Sequence, residues 1–136
     1  MARKPNIILT EIDLERLERL LEKVPDSQFP SKKGLEEELE RAKVVPSAKV
    51  PADVVTMNSS VRFREMPEGA EFTLTLVYPK DAGKEGTISI LAPVGAALLG
   101  LKVGAEIEWP NAKGEKLRVR IEEVVFQPER AGEMHL

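Results

Sequence analysis

The run Val61-Arg-Phe-Arg64, followed across a Pro67–Gly69 turn by Glu71-Phe-Thr-Leu-Thr-Leu-Val-Tyr-Pro79, decides the fold class. Val61 and Phe63 alternate with Arg62 and Arg64; Phe72, Leu74, Leu76 and Tyr78 alternate with Glu71, Thr73, Thr75 and Val77. A period of two sends alternate side chains to opposite faces, which is the pattern of half-buried strands. The same period returns downstream. Ile88 and Ile90 lie between Thr87, Ser89 and Leu91, and Ile107 and Trp109 between Glu106 and Glu108. After a Pro110–Gly114 turn, Leu117, Val119 and Ile121 face away from Arg118, Arg120 and Glu122. Five one-sided strands joined mostly by short turns predict an antiparallel sheet with one wet face. Phe63, Phe72, Tyr78 and Trp109 fall on its dry side. Between the third and fourth strands, Pro93-Val-Gly-Ala-Ala-Leu-Leu-Gly-Leu101 is apolar nearly all round, which predicts a short buried helix with proline at its start.

Toward the N-terminus the rhythm becomes helical. Thr10 is placed to cap a first helix, with Glu11 and Asp13 in its positively polarised first turn. Leu14, Leu17, Leu21 and Val24 follow at spacings of three and four, and Pro25 closes the helix. A second helix begins near Ser31, carries Leu35, Leu39 and Ala42, and is bounded by Pro46. Two such helices with a short loop predict an antiparallel hairpin, about 20 Å long at 1.5 Å per residue. Val44 to Asp53, with Pro46 and Pro51 among small residues, reads as a linker. The expected organisation is a helical hairpin arm over residues 1–45, a linker over 46–53 and a sheet domain over 54–136.

Composition excludes much chemistry. The 136 residues include no cysteine, so thiolate zinc sites, disulfide frameworks and cysteine nucleophiles are out. The single histidine, His135, rules out multi-histidine metal sites and leaves a Ser-His-Asp triad improbable. With 23 acids against 20 bases the net charge is −3, unlike that of a polybasic nucleic-acid binder. The apolar run Ile7–Leu9 is too short for a secretory or membrane-spanning segment, and a cytoplasmic setting is expected.

Three motifs invite a functional reading. Gly95 and Gly100 have the spacing of a phosphate-binding loop, but Leu101 and Lys102 stand where Lys and Ser/Thr are required, so packing is expected instead. Glu36, Glu37 and Glu38 are consecutive and point about 100° apart on a helix, so they predict a solvated face and no metal site. Arg62, Arg64, Arg118 and Arg120 share the wet face of the sheet. They could meet phosphates, but no aromatic for base stacking accompanies them. The alternative is that they are solubilising charges paired with Glu106, Glu108 and Glu122. Contact with DNA is at most weak on this reading. No catalytic, cofactor or metal constellation is expected.

The runs Asp53-Val-Val-Thr-Met-Asn58, Thr75-Leu-Val-Tyr-Pro79 and Ile88-Ser-Ile-Leu-Ala-Pro-Val-Gly-Ala-Ala-Leu-Leu-Gly100 resemble the globular domain of the Gre transcript-cleavage factors. With Phe126, Gln127, Pro128 and Glu129 added, the chain is more similar to the short-armed Rnk family (regulators of nucleoside diphosphate kinase) within that superfamily. The resemblance runs from Ile7 to Gly132 and implies an α+β fold: an antiparallel two-helix, short coiled-coil arm followed by an FKBP-like antiparallel β-sheet domain with one short helix. It also implies a partner, bacterial RNA polymerase, gripped on a coiled coil of the β′ subunit at the rim of the secondary channel. The docking loop of the family corresponds to Leu91, Ala92 and Pro93, with Val94 following; Pro93 keeps the family pattern, whereas Leu91 and Ala92 replace polar residues.

In the cleavage factors the arm tip carries two acids that help hold a second magnesium. Here the tip is Val24 to Ser31, including Asp26, Ser27, Gln28 and Phe29, and Asp26 is its only carboxylate. The implied function is therefore occupancy of the channel entrance without catalysis, in competition with Gre factors, with an indirect influence on nucleoside diphosphate kinase. Two other readings stay open. One is peptidyl-prolyl isomerase activity, suggested by the fold alone. The other is direct nucleic-acid binding by the arginine-bearing face.

Overall fold

The computed structural model describes residues 6–24, 32–66, 69–110 and 115–132. The expected arm tip, Asp26 to Phe29, and His135 lie outside the described residues. Strand β1 (Ile8–Thr10) leads directly into helix α1 (Glu11–Lys23), which is followed by α2 (Lys32–Arg41) and β2 (Lys43–Val45). Thr10 holds extended backbone, and its Oγ1 accepts the Asp13 N–H at 3.1 Å, so it caps α1 as its sequence position demands. β1 and β2 pair in parallel, Ile8 opposite Lys43 and Thr10 opposite Val45. This small sheet ties the two ends of the hairpin together. It replaces the expected linker start at Val44. Three-residue strands are too short to show a period, which is why Ile7–Leu9 and Lys43–Val45 carried no strand signal.

The main sheet contains β3 (Ser60–Met66), β4 (Ala70–Val77), β5 (Thr87–Ser89), β6 (Glu106–Pro110) and β7 (Lys116–Phe126), in the order β5-β4-β3-β7-β6. Four of the five pair antiparallel, as alternation predicts, but β5 runs parallel to β4, with Thr75 opposite Thr87. The sheet is therefore mixed. Residues 78–86 do not form a tight turn; they cross back through a 3-10 turn (Pro79–Asp81) and bring β5 in alongside its predecessor. Helix α3 (Pro93–Leu98) is the expected buried helix, with Gly95 through Leu98 all buried. Its glycines serve close packing. A Cβ on Gly95 would lie 2.1 Å from the Ser89 carbonyl oxygen, and Gly100, at φ +79°, would meet the Ile7 Cβ at 2.7 Å. The chain ends its described part in α4 (Pro128–Ala131).

One continuous apolar core joins the hairpin to the sheet. Leu17, Leu21, Leu35 and Leu39 belong to the same buried cluster as Phe63, Leu76, Leu98, Trp109 and Ile121. Helix α2 lies against the sheet domain through Gly34, where an added Cβ would sit 3.1 Å from the Trp109 ring. The hairpin is thus seated on the globular part at this point, where a free-standing coiled-coil arm would leave Gly34 and Leu35 in water. Two expectations need correction. Phe72 stacks on Phe63 with ring centroids 5.6 Å apart, yet it is 40% exposed, because it stands toward the end of β4 where the core no longer covers the sheet. Glu38, expected on a solvated face with Glu36 and Glu37, is buried and ion-paired with Arg41 one turn on. Among the described residues no helix is long and apolar enough to cross a membrane.

Candidate protein-docking site

The loop singled out by sequence, Leu91 to Val94, joins β5 to α3. Its shape is set by Ser89, whose Oγ accepts the Leu91 N–H at 3.0 Å and whose carbonyl accepts the Ala92 N–H at 3.0 Å. Pro93 then occupies the first helical turn, where its missing N–H costs nothing and its fixed φ starts α3. Leu91, Ala92, Pro93 and Val94 are all half-buried. Leu91 and Val94 rest on the core with their outer surfaces open. The result is an apolar knuckle packed on the core behind it. It has no titratable side chain and can do no acid–base chemistry; what it can do is bury apolar area against a partner.

A second constellation, of which the sequence showed the runs 53–58 and 126–129 but not the bonds between them, binds the base of the hairpin to the domain. Asp13 is buried, and its Oδ2 accepts the Met57 N–H at 3.1 Å. Burial pushes its carboxyl up to about 6, with the Glu129 charge adding to the rise and the Met57 and Thr10 bonds and Arg16 opposing it. Burial and the nearby Asp13 likewise push the Tyr78 hydroxyl up. Next to Met57, Thr56 Oγ1 donates its one proton to Glu129 Oε1 at 2.7 Å, so in the 2.8 Å contact with Ser59 it is the Ser59 hydroxyl that donates; Ser59 Oγ also accepts the Thr56 N–H at 3.0 Å. Gln127 is fully buried: its Nε2 donates to the carbonyls of Pro51 and Val54, both at 2.8 Å, while its side-chain oxygen caps α4 by accepting the Arg130 N–H at 3.1 Å. Asn58, at φ +68°, makes the turn that brings these groups together. The runs 53–58 and 126–129 are therefore one structural seam. Asp13 three residues past a threonine cap was the only local signal of its tie to the hairpin, and that spacing reads equally well as an ordinary capped first turn.

The third group is the arginine face. Arg62, Arg64 and Arg120 do come together, but with carboxylates between them. Arg62 bonds Glu71 and Glu123, both at 3.2 Å; Arg64 bonds Glu71 at 2.8 Å and Glu122 at 3.0 Å; Arg120 bonds Glu122 at 3.0 Å. Arg118 faces Glu108 across β6 and β7. A register shift puts Glu123 opposite Arg62 and Ile121 opposite Phe63, so Glu122 is an extra residue in β7. That bulge lets two consecutive glutamates serve the same wet face. Arg62, Arg64 and Arg120 are thus paired as the solubilising alternative expects, but with Glu71, Glu122 and Glu123; Glu108, another expected partner, pairs with Lys116 at 3.7 Å. Among the described residues no cluster of His, Cys, Asp or Glu could hold a metal ion.

Comparison with known proteins agrees with this architecture. Residues 50–126 match the family model for the C-terminal domain of the transcription elongation factors GreA/GreB, and residues 5–45 match the Rnk N-terminus. A regulator of nucleoside diphosphate kinase from Escherichia coli K12 is 42% identical over 131 residues, covering 96% of both chains. This chain belongs to the Rnk family. Its sheet domain is of the GreA/GreB type: GreA from Christiangramia forsetii is 40% identical over 80 residues, 57% of this chain and 51% of that protein. The solved structure of a GreA/GreB transcription elongation factor from Nitrosomonas europaea is 56% identical and superposes with a TM-score of 0.72, covering 90% of this chain and all of the other. In Rnk-family terms the matched Rnk N-terminus comprises β1, the two helices and β2, and the matched GreA/GreB domain contains the Leu91–Val94 knuckle, the main sheet and most of the buried seam. These relatives are named as regulators and elongation factors, not as enzymes.

Proposed function

We propose that this protein is a non-catalytic transcription regulator that binds bacterial RNA polymerase at the entrance of the secondary channel and competes there with Gre cleavage factors. The observation that carries the reading is the apolar knuckle Leu91–Val94, half-buried and packed on the core, on a domain of GreA/GreB type. A surface of this chemistry suits docking on a β′ coiled coil, where burial of aliphatic side chains supplies the affinity. Competition requires no more than overlapping surfaces and comparable affinity. The hairpin takes no part in chemistry: its tip sequence offers Asp26 alone, and one carboxylate does not make the paired clamp that a second magnesium needs. Influence on nucleoside diphosphate kinase is then indirect, through transcription in the bacterial cytoplasm.

Capture on immobilised RNA polymerase tests the reading. Pro93→Arg places a charge in the knuckle and is expected to weaken capture by about tenfold, the effect of losing an interface anchor, with circular dichroism unchanged. Equal capture of the variant would remove the knuckle from the interface. Added to a backtracked complex, the protein is expected to displace a Gre factor and to leave transcript cleavage at background by itself. The isomerase reading has little to build on, since Phe63 and Trp109 are sealed in the core and cannot line a substrate pocket.

A further inference from the structure

Helices α1 and α2 do not close against each other along their outer side. Between them runs a groove of about 360 Å3, floored by half-buried Leu14 with the buried Leu21 and Leu39 at its bottom. That volume is at the small end of the ~300–1,000 Å3 typical of ligand pockets, and the groove is open along its length. It has room for a row of aliphatic side chains presented by something outside, and too little for a whole element.

The rim is of one sign. Glu18 and Glu22 stand one turn apart on α1, and Glu36 and Glu40 stand one turn apart on α2. All four are exposed, and none has an ion-pair partner among the described residues. Lys32, the one cation on the lining, is turned to the end of α1, where its Nζ donates to the Val24 carbonyl at 2.9 Å. Meanwhile the cations of α1, Arg16, Arg19 and Lys23, lie on its other flank beside Tyr78 and Lys80. A helix that carries charge only for solubility mixes the signs around it. On α1, Glu18 and Glu22 face the groove while the three bases lie on the other flank, where Arg19 pairs with Glu15.

We propose that this groove is the docking site of a basic amphipathic helix from a partner protein. Leucines or isoleucines at i, i+3 or i+4, and i+7 of that helix would fill the leucine floor, and Lys or Arg on either side of them would meet the two glutamate rows. The mode is helix-in-groove recognition, in which apolar anchors supply affinity and flanking charges set orientation. Glutamates about 6 Å apart within each row match successive turns of a bound helix. A divalent cation is the weaker occupant, because the four carboxylates form no cluster that could hold a metal. The chain's own segments outside the described residues do not fit either: residues 25–31 bring only the negative Asp26, and residues 1–5 bring Arg3 and Lys4 without a spaced apolar stripe. The surface is separate from the Leu91–Val94 knuckle, so the inference stands whether or not polymerase is the partner there.

The test uses the full chain and a fluorescein-labelled 18-residue Leu/Lys peptide with leucines at helical 3–4 spacing, alongside a scrambled peptide of the same composition. Anisotropy should show saturable binding of the amphipathic peptide and at least about tenfold weaker binding of the scrambled one, since only the first presents an apolar stripe. Replacing Glu18, Glu22, Glu36 and Glu40 together by Gln leaves the buried residues untouched and should weaken the amphipathic peptide by about tenfold or more, several exposed ion pairs being lost at once. Amide shifts on binding should map to α1 and α2. Equal binding of the two peptides, undiminished binding by the Gln variant, or shifts confined to the sheet would each overturn the proposal. So would saturable binding of Mg2+ or Ca2+ alone, or a dimer in sedimentation that the Gln variant dissolves, because either names a different occupant.

Discussion

The molecule carries two polar networks of similar size and opposite placing. On the wet face of the sheet, Arg62, Arg64 and Arg120 interleave with Glu71, Glu122 and Glu123 in water. Beneath α1, the buried Asp13, Thr56, Ser59 and Gln127, with half-buried Glu129, bond backbone groups and one another. The first network has more charges, yet each of its groups has water as an alternative partner. The second has at least as many bonds, and its buried groups have no such alternative. Burial, not bond count, decides what breaking a polar contact does to stability.

The largest expected effect lies in the buried seam. Gln127→Leu keeps the volume and removes both donors and the cap acceptor, which leaves the Val54 carbonyl and the Arg130 N–H without these partners, while the Pro51 carbonyl keeps only the Val54 N–H at 3.3 Å. Orphaned buried groups cost about 1–3 kcal/mol each, and relaxation toward solvent near α4 recovers part, so a net loss of about 3 kcal/mol is expected. Urea denaturation would measure it. A loss below about 1 kcal/mol would mean that the seam is wet and the contrast with the sheet face is wrong.

Asp13 gives the next effect, with a distinctive sign. Its folded carboxyl titrates at about 6, raised from the ordinary 3.8 by burial. The native state therefore holds the proton more tightly than the unfolded chain, and this group's contribution is fullest below about pH 4 and is lost as pH rises through about 6. A rise of this size in the folded state is worth about 2–3 kcal/mol. Asp13→Asn, which keeps an acceptor for the Met57 N–H, should abolish that slope and be the more stable protein at pH 7. If wild type and variant have parallel stability profiles between pH 4 and 7, the carboxylate is not desolvated as its position implies.

The two networks also differ in what a sequence can reveal. Arg62 and Arg64 in the gaps of an apolar alternation announce a wet strand face, and the leucine spacings announce the helices, because both follow from local periods that the chain repeats several times. The Leu91–Val94 loop and the helix after it were legible through Pro93 in a long apolar run. The parallel pairing of β5, the β1–β2 clasp and the seating of Gly34 on Trp109 were not, since each is a contact between distant segments made by elements of three residues or by an absent side chain. The seam was half legible: residues 53–58 and 126–129 stood out as a family signature, while the reason for them, a tie across more than 70 residues, has no period to betray it. The glutamate bulge was hidden for a related reason. One extra residue in β7 shifts a register without altering the composition of either strand.

The smallest effect belongs to the exposed network, and it sharpens the contrast through its opposite dependence on pH. Hydrogen bonds from Arg120 and Arg64 hold the Glu122 carboxyl below its ordinary 4.5. A depressed carboxyl contributes stability that is present above the unfolded value and is lost as pH falls through the folded one. Glu122→Gln should therefore match wild type in the slope near pH 6, which comes from Asp13, and differ only below about pH 4.5, where wild type loses stability faster. The shift in melting midpoint at pH 7 should be no more than about 2 °C, and 0.5 M salt should shrink it further, as for other exposed pairs. A larger or salt-insensitive change would mean that the bulge itself depends on these ion pairs, so that the wet face holds the register of β3 on β7. In that case the two networks would differ in exposure but not in structural consequence, and the ranking of these variants would have to be reversed.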